Sequence, residues 1–279
     1  MPDAAATANT PPKAKKPWTA SGIAREAVLL VCGIFIIWSL LAKPFYIPSG
    51  SMLPTLLVGD RLIVTKFPYG FSYLSGALDI FPKMEGRLFG SLPKRGDVVV
   101  IKSPITHDDW IKRVIGLPGD TVQMKDGQLW LNGVAVPKVK VADTVMTVSP
   151  NSDCTSMVDA QYRVLRPDGG AECHFPTYRE TLPNGASYLT MDLQATPQDN
   201  TDPVIVPEGH VFLMGDNRDN SEDSRFAPEI GGLGVLPVEN IVGRAEFTTF
   251  SLDGSTQWLN PLTWPGAFRG DRNFINLRQ

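Results

Sequence analysis

The chain has 279 residues, of which 43% are hydrophobic and 20% are charged, a composition that suits one large globular domain or two. Its formal net charge of -3 gives no basic surface for nucleic acid, so that class of partner is excluded from the prediction. The three histidines and three cysteines show neither CxxC nor HExxH spacing, and no glycine-rich phosphate loop is present, so neither a metal nor a nucleotide cofactor is predicted.

The first predicted elements are a polar tail and an apolar helix. Residues 1–22 are rich in Ala, Pro, Thr and Lys without hydrophobic periodicity, which predicts a disordered tail. The run from Ala27 to Ala42 is apolar on every face, and residues 23–43 are predicted to form a transmembrane anchor. Two alternatives are a buried soluble helix and a cleaved signal peptide, although the LLAKP sequence that ends the run lacks the small residues typical of a cleavage site.

Charges and cysteines bear on the orientation of this anchor. Basic residues precede the apolar run, so the positive-inside rule predicts a cytoplasmic tail and places everything after Lys43 on the other side of the membrane. These basic residues are Lys13, Lys15, Lys16 and Arg25. Cys32 lies in the run, whereas Cys154 and Cys173 follow it and are predicted to form a disulfide in an oxidising compartment. The alternative is two free buried thiols.

Short β-branched or alternating runs dominate the rest of the chain, and turn signals such as Asp126-Gly127 separate them. They predict strands over 60–66, 97–102, 109–115, 128–132, 210–214 and 241–250. The predicted fold class is mainly β: an antiparallel β core formed by residues 44–138 and 204–250, preceded by one transmembrane helix. Residues 139–203 are polar and interrupted by Pro and Gly, and we predict that they form a second β subdomain inserted into this core.

Two aromatic segments each allow two roles, packing on the core or contact with the lipid interface. The loop 67–92 is rich in aromatic residues and glycine, and it either packs its rings on the core or, as we favour, dips into the lipid interface beside the anchor. The C-terminal segment 251–279 carries Trp258, Trp264 and Phe268, and its sequence does not separate an interfacial role from a packing role for them.

The stretch PSGSMLPT at 48–55 places two serines around a glycine directly after the anchor. A serine hydroxyl becomes a useful nucleophile only when a base removes its proton, and histidine is the usual base. The three histidines, His107, His174 and His210, do not lie in motifs typical of catalysis, which disfavours a Ser-His-Asp triad.

Lysine is the other candidate base, and it must be desolvated to be neutral at working pH. Lowering a lysine pKa from its ordinary value to about 8 requires roughly 3 kcal/mol of unfavourable environment. Lys112 fits this need, because it lies inside a strand pattern with Trp110 and Val114 on its own face. The alternative is an edge-strand lysine that faces water, and composition alone leaves the choice open.

Four stretches of the chain together resemble a known family. They are PSGSMLPT at 48–55, RGDVVVI at 95–101, WIKRVIGLPGD at 110–120 and GDNRDNSEDSR at 215–225. In order and content they are similar to the conserved boxes of the bacterial type I signal peptidases, serine proteases with a Ser-Lys dyad. The resemblance extends from the anchor to about Phe250, with the 139–203 insertion in the position of the variable second domain of the family.

The resemblance implies a role for each matched residue. Ser51 matches the nucleophile and Lys112 the general base. Ser49 matches the serine whose hydroxyl forms the oxyanion hole together with the backbone N–H of Ser51.

Three further matches lie in the last of these stretches. Ser221 matches a serine that hydrogen-bonds the lysine and orients it. Asp223 and Arg225 match an ion pair that supports the site.

The resemblance also implies a substrate and a location. Members of the family remove signal peptides from exported preproteins after small residues at positions -1 and -3, without a metal or another cofactor. It implies a single-pass enzyme of the bacterial inner membrane, with its catalytic part on the periplasmic side and with membrane lipid as a further partner. Apolar residues beside the matched stretches are predicted to line the substrate pocket: Phe45, Ile47, Pro48, Met52, Val100 and Ile111.

Two other functions remain as alternatives at this stage. One is a specialised maturation peptidase of the same fold that is dedicated to one substrate. The other is a membrane-anchored β module that binds peptides without cleaving them.

Overall fold

The computed structural model describes residues 19–76, 86–154, 159–257 and 259–278. The α-helices in these ranges are α1 (Ala20–Leu40) and α2 (Trp264–Ala267). The strands are β1 (Ala42–Tyr46), β2 (Asp60–Thr65), β3 (Val98–Lys102), β4 (Asp109–Gly116), β5 (Thr121–Lys125), β6 (Gln128–Leu131), β7 (Val134–Ala135), β8 (Lys138–Lys140), β9 (Thr144–Thr147), β10 (Arg163–Leu165), β11 (Ala171–Phe175), β12 (Thr177–Thr181), β13 (Ser187–Met191), β14 (Val204–Ile205), β15 (His210–Met214), β16 (Leu236–Pro237) and β17 (Ile241–Ser251). Short 3₁₀ helices occur at Phe67–Tyr69, Tyr73–Ser75, Asp159–Tyr162, Pro197–Asp199, Pro228–Ile230, Val238–Asn240, Pro261–Thr263 and Gly270–Arg272.

Helix α1 has the length and composition of a membrane span. Its 21 residues extend about 31 Å at roughly 1.5 Å per residue, close to the ~30 Å of a bilayer core. The helix begins earlier than the predicted anchor, because the side chain of Thr19 caps it by accepting a hydrogen bond from the backbone N–H of Gly22 at 3.2 Å. Only 6% of its most apolar 18-residue window is buried, which does not fit a helix packed in the core of this chain. Residues 1–18 of the predicted tail lie outside the described residues.

The helix ends where the chain enters a sheet. Ala42 pairs with Thr65, so that Lys43, predicted as the end of the anchor, belongs to β1. The sheet has seven strands in the order β1-β2-β17-β3-β4-β15-β16, and all neighbours are antiparallel. Strand β4 is interior, between β3 and β15, and its residues from Ile111 to Gly116 are buried. The long strand β17 fits between β2 and β3, which are far from it in sequence.

Three smaller antiparallel sheets complete the fold, in the orders β10-β11-β9, β13-β12-β8 and β14-β5-β6-β7. Strands β9 to β13 lie within the segment predicted as an insertion, 139–203. This segment is hydrogen-bonded to the rest of the chain, because the backbone N–H of Met191 donates to the carbonyl of Asp216 at 2.9 Å. The predicted mainly β, antiparallel fold class is confirmed, whereas the division into a core and an inserted subdomain stays a prediction.

A hydrophobic cluster lies directly beneath the PSGSMLPT stretch. It joins Met52 of that stretch and the flanking Ile47 and Leu56 to four strands of the large sheet and to the C-terminal segment: Ile47, Met52, Leu56, Leu62, Val64, Val98, Val100, Ile111, Val242, Ala245 and Leu277. A second cluster, within 139–203, packs against Leu53 and Leu57. The segment that carries the two serines is therefore supported by both parts of the chain.

The two aromatic segments differ in how they pack. In the loop 67–92, of which 77–85 lie outside the described residues, Tyr69 is buried while Phe89 is 92% exposed. Contact of this loop with lipid stays a prediction. In the C-terminal segment Phe268 packs on Phe250 with ring centroids 5.9 Å apart, Trp264 is exposed, and Trp258 lies outside the described residues.

Candidate active site

The two serines lie in a tight turn between β1 and β2. The backbone N–H of Leu53 donates to the carbonyl of Gly50 at 3.1 Å, which closes the turn. Asn217 fixes it from the other side, because its backbone N–H donates to the carbonyl of Ser51 at 3.1 Å and its side chain donates to the carbonyl of Gly50 at 3.2 Å. The segment 215–225 thus positions the turn that carries Ser51.

Ser51 and Lys112 are in hydrogen-bond contact. Lys112 Nζ lies 3.1 Å from Ser51 Oγ, although the two residues are separated by 61 positions in the chain. Ser51 is 7% exposed and Lys112 is 4% exposed. Lys112 is not an edge-strand residue facing water. Strand β4 has β3 and β15 as its hydrogen-bonded neighbours, and the amine lies over the ring of Trp110, 5.4 Å from its centroid.

The environment of Lys112 favours the neutral amine. Burial lowers the pKa of Lys112 to about 8, against the opposing effect of the carboxylates of Asp223, Glu222 and Asp216. The positive charge of Arg225 adds to the lowering. A lysine in this state is partly deprotonated near neutral pH and can accept a proton from the adjacent serine hydroxyl.

Ser221 lies against the same site but makes no hydrogen bond there. It is buried, and its Oγ has no hydrogen-bond partner among the described residues, so the implied bond to Lys112 is not formed. Gly215 allows this close packing: a Cβ at that position would overlap Ser221 Oγ and lie 2.6 Å from the carbonyl oxygen of Ser51. The hydroxyl of Ser221 therefore has free hydrogen-bonding capacity beside the dyad.

Asp223 and Arg225 form a buried ion pair beside the lysine. Arg225 Nε lies 2.9 Å from Asp223 Oδ1, and both side chains are fully buried. Although burial opposes ionisation, Arg225 and the backbone N–H of Gly215, which donates to Asp223 Oδ2 at 3.0 Å, hold the pKa of Asp223 below its usual range. Arg225 also donates to the carbonyl of Arg218 at 2.6 Å, which braces the loop that ends in Ser221.

Comparison with known proteins decides the family. The family model described as "Signal peptidase, peptidase S26" matches residues 21–250. The chain belongs to this signal peptidase family. A signal peptidase I from Rickettsia massiliae (strain Mtu5) is 33% identical over 96% of this chain and 95% of its own length. A signal peptidase I from Rickettsia typhi (strain ATCC VR-144 / Wilmington) is 34% identical over 89% of this chain and 90% of its own length.

A solved structure is also similar in part. The crystal structure of a signal peptidase I from Enterococcus faecalis V583 is 25% identical and covers 55% of this chain and 97% of its own, with a TM-score of 0.29. The membership in the signal peptidase family and the identification of the chain as a peptidase, a hydrolytic enzyme, are confirmed by the family model and the relatives.

Two buried ion pairs around the candidate site were not predicted from the sequence. Arg113 Nη2 lies 2.6 Å from Asp216 Oδ2, and both side chains are 1% exposed. The hydroxyl of Thr55 donates to the same carboxylate at 2.5 Å, which links the serine turn to β4. Arg218 and Glu180 form the second pair at 2.5 Å and join the matched loop to β12. The many charged residues in GDNRDNSEDSR could have indicated such pairs, because charges that become buried need partners of opposite sign.

The site opens into a cleft of about 810 Å³. Its lining residues are Pro48, Ser49, Ser51, Asp108, Asp109, Trp110, Ile111, Lys112, Asp219, Asn220, Ser221, Glu222 and Phe226. No histidine lines this cleft in the part of the chain that the structure describes. The cleft thus contains Ser49, Ser51 and Lys112 with a mixed apolar and acidic wall.

The six residues predicted to line a substrate pocket divide into two groups. Pro48 and Ile111 line the cleft. The other four belong to the cluster beneath it: Ile47, Met52 and Val100 are buried, and Phe45 is half-buried against them. A role in substrate contact stays a prediction for all six residues.

Two further groups of side chains are candidate sites: the cysteines Cys154 and Cys173, and three carboxylates, of which one, Asp219, lines the cleft. Cys154 and Cys173 are joined in the structure with Cα atoms 6.4 Å apart, a separation that a disulfide spans. Their oxidation in solution stays a prediction. The carboxylate oxygens of Asp192, Asp199 and Asp219 lie within 4.8 Å of one another. Each carboxylate already accepts a hydrogen bond from a lysine or a backbone N–H, so these residues give no reason to expect a metal.

Proposed function

We propose that this chain is a membrane-bound serine endopeptidase that removes N-terminal signal peptides from exported preproteins with a Ser51-Lys112 dyad. The observation that carries the proposal is the contact of 3.1 Å between Lys112 Nζ and Ser51 Oγ at a buried position. The signal peptidase I relatives support the substrate class.

The proposed reaction begins with neutral Lys112. The amine accepts the hydroxyl proton of Ser51 as Oγ attacks the scissile carbonyl carbon, and the carbonyl oxygen becomes an oxyanion. The hydroxyl of Ser49 and the backbone N–H of Ser51 donate hydrogen bonds to this oxygen. Ser49 lines the cleft beside Ser51, which supports this role.

The intermediate then collapses to an acyl-enzyme. The C–N bond breaks, protonated Lys112 transfers its proton to the leaving amine, and the mature protein departs. Water gives a proton to the same amine and attacks the ester carbonyl, which releases the signal peptide with a free carboxylate. The proton returns from Lys112 to Ser51 Oγ. We infer that small residues at -1 and -3 fit the cleft wall formed by Pro48 and Ile111.

We also propose a single-pass topology in the bacterial inner membrane. Helix α1 is the span, and the lysines that precede it favour a cytoplasmic tail. The catalytic part then lies on the periplasmic side, where the cleavage site of a translocating preprotein emerges at the periplasmic face of the inner membrane. Membrane lipid is therefore a direct partner of the chain.

Cleavage of a purified preprotein by the detergent-solubilised full chain tests the dyad. Ser51→Ala and Lys112→Arg are each expected to lower kcat by more than about a thousandfold, the latter because arginine stays protonated at working pH. Ser49→Ala is expected to lower kcat by about a hundredfold, the effect of one oxyanion donor. Cleavage by Ser51→Ala at the wild-type rate would refute the proposed function.

A further inference from the structure

The wall of the cleft is strongly acidic. Four of its lining residues carry carboxylates, Asp108, Asp109, Asp219 and Glu222, whereas among the described residues Lys112 is the only basic residue that lines it. One lysine, whose pKa burial lowers to about 8, offsets at most one of these four carboxylates. The cleft therefore presents a negative potential to a bound peptide.

Two of these carboxylates are already compensated. Asp109 pairs with Lys102 at 3.2 Å and with Lys43 at 3.9 Å. Asp219 accepts hydrogen bonds from the backbone N–H groups of Leu193 at 2.5 Å and Gln194 at 3.1 Å. Asp109 and Asp219 are thus engaged by the fold itself.

The other two are available to a ligand. Asp108 and Glu222 are exposed, and within 19–76, 86–154, 159–257 and 259–278 neither forms an ion pair. They belong to two different segments, the loop before β4 and the loop 215–225. Negative charge is therefore present on two separate parts of the cleft wall.

A second observation also points to a ligand at this place. Ser221 lines the same cleft at 7% exposure, and its Oγ has no partner among the described residues. A buried hydroxyl without a hydrogen bond is unfavourable unless a ligand or a water molecule supplies that hydrogen bond. The wall thus combines an unfilled hydrogen-bonding position with uncompensated negative charge.

We propose that Asp108 and Glu222 make this cleft selective for preproteins with a basic residue close to the scissile bond, and that they act against acidic residues there. The inference rests on the proposed function, because it concerns the substrates of the same site. Complementary charge raises the rate of productive encounter and like charge lowers it. Since both carboxylates are exposed, the discrimination is modest, about tenfold in kcat/KM between a lysine and a glutamate peptide.

The test uses the detergent-solubilised full chain and three peptides that are identical except at one position. Each keeps alanine at -1 and -3 and carries lysine, glutamine or glutamate at the third residue after the cut; a second set varies the fourth residue before it. We expect kcat/KM to fall in the order lysine, glutamine, glutamate in at least one set. The ratio is expected to shrink as the salt concentration rises from about 0.01 M to about 1 M, because the Debye length falls from about 30 Å to about 3 Å.

Charge variants show whether these two residues are responsible. Asp108→Asn with Glu222→Gln is expected to reduce the lysine-to-glutamate ratio toward one, and Asp108→Lys with Glu222→Lys is expected to invert it. Loss of folding lowers all three rates together and leaves no inverted ratio, so the readout is independent of expression. Glu208→Gln removes an exposed carboxylate that does not line the cleft and serves as the matched control, which keeps the wild-type ratio.

The possible results distinguish failure of the proposed charge selectivity from failure of the proposed peptidase function. Equal kcat/KM for the three peptides in both sets, or a ratio unchanged in the double variants, overturns the selectivity while the peptidase function stands. Failure of the wild type to cleave any of the peptides and a preprotein overturns both.

Discussion

Replacement of Lys112 by methionine separates the catalytic need for this residue from its effect on stability. The side chain is 4% exposed, and burial lowers its pKa from 10.5 to about 8. At about 1.36 kcal/mol per pKa unit, the charged amine is disfavoured in the folded chain by about 3 kcal/mol relative to the unfolded chain. Methionine has a similar length and carries no charge, so Lys112→Met should remove this penalty as well as the proposed base.

The lowered pKa of Lys112 makes the free energy of unfolding depend on pH. Because the pKa of Lys112 is lower in the folded chain than the ordinary value of 10.5, the unfolded chain binds more protons between about pH 8 and about pH 10.5. Wild-type stability therefore rises with pH across that window, and below about pH 8 the penalty is fully present. The stability advantage of Lys112→Met should shrink by about 3 kcal/mol between neutral pH and about pH 10.5.

Denaturant unfolding of the detergent-solubilised full chain at several pH values measures this difference. Ser51→Ala is the matched control: it abolishes the proposed turnover but retains the buried amine, so it should keep the wild-type dependence of stability on pH. A constant stability difference between Lys112→Met and wild type from neutral pH to about pH 10.5 would refute the desolvated lysine. Preprotein cleavage by Lys112→Met would refute its role as the base.

Three further changes test the surroundings of the dyad. Asp216→Asn leaves the buried charge of Arg113 without its partner and should lower the free energy of unfolding by about 3 to 5 kcal/mol in a denaturant titration; a loss below about 1 kcal/mol would contradict the buried pair. Glu222→Gln removes a carboxylate that raises the pKa of Lys112, so the midpoint of the acidic limb of the kcat profile should move to lower pH, and an unmoved midpoint would count against this electrostatic contact. Gly215→Ala places a Cβ 2.6 Å from the carbonyl oxygen of Ser51 and should lower kcat about a hundredfold with the circular dichroism spectrum retained, whereas an unchanged kcat would show that the turn tolerates the shift.

Five of the seven strands of the large sheet are visible in the sequence as β-branched or alternating runs, whereas β1, with the sequence AKPFY, and the two-residue β16 are not. The predicted 109–115 and 210–214 correspond to β4 and β15 within one residue. Their order in the sheet is not visible in the same way. Strand β17 pairs with β2 and β3 across most of the chain length, and no local periodicity specifies a partner so distant.

The burial of Lys112 and Arg113 could not be predicted from the sequence. Lys112 and Arg113 are consecutive, so their side chains leave opposite faces of β4, and a strand with one solvated face would expose one of them. Both are buried, and a hydrophobic cluster packs on each face of β4, one containing Ile111 and the other Val114. Composition favours exposed lysine and arginine, so only the tertiary structure reveals Asp216 as the partner of Arg113.

The unpartnered hydroxyl of Ser221 marks the point where the resemblance and the structure differ. The family match implies a hydrogen bond to Lys112, yet Lys112 Nζ contacts Ser51 and the Ser221 hydroxyl has no hydrogen-bond partner among the described residues. The proposed proton transfer needs the lone pair of the amine directed at Ser51 Oγ, and that contact is present without the Ser221 bond.

The segment 215–225 explains why the site is both buried and precisely held. Asn217 fixes the serine turn, Asp216 fixes Arg113 on the strand of the lysine, and Arg218 reaches Glu180 in the segment 139–203. Burial of the charged form of Lys112 disfavours folding, and the ion pairs around it are stable only when their geometry is fixed. Substitutions that break these contacts, such as Asp216→Asn, should therefore reduce stability and turnover together, whereas Ser51→Ala should reduce turnover alone.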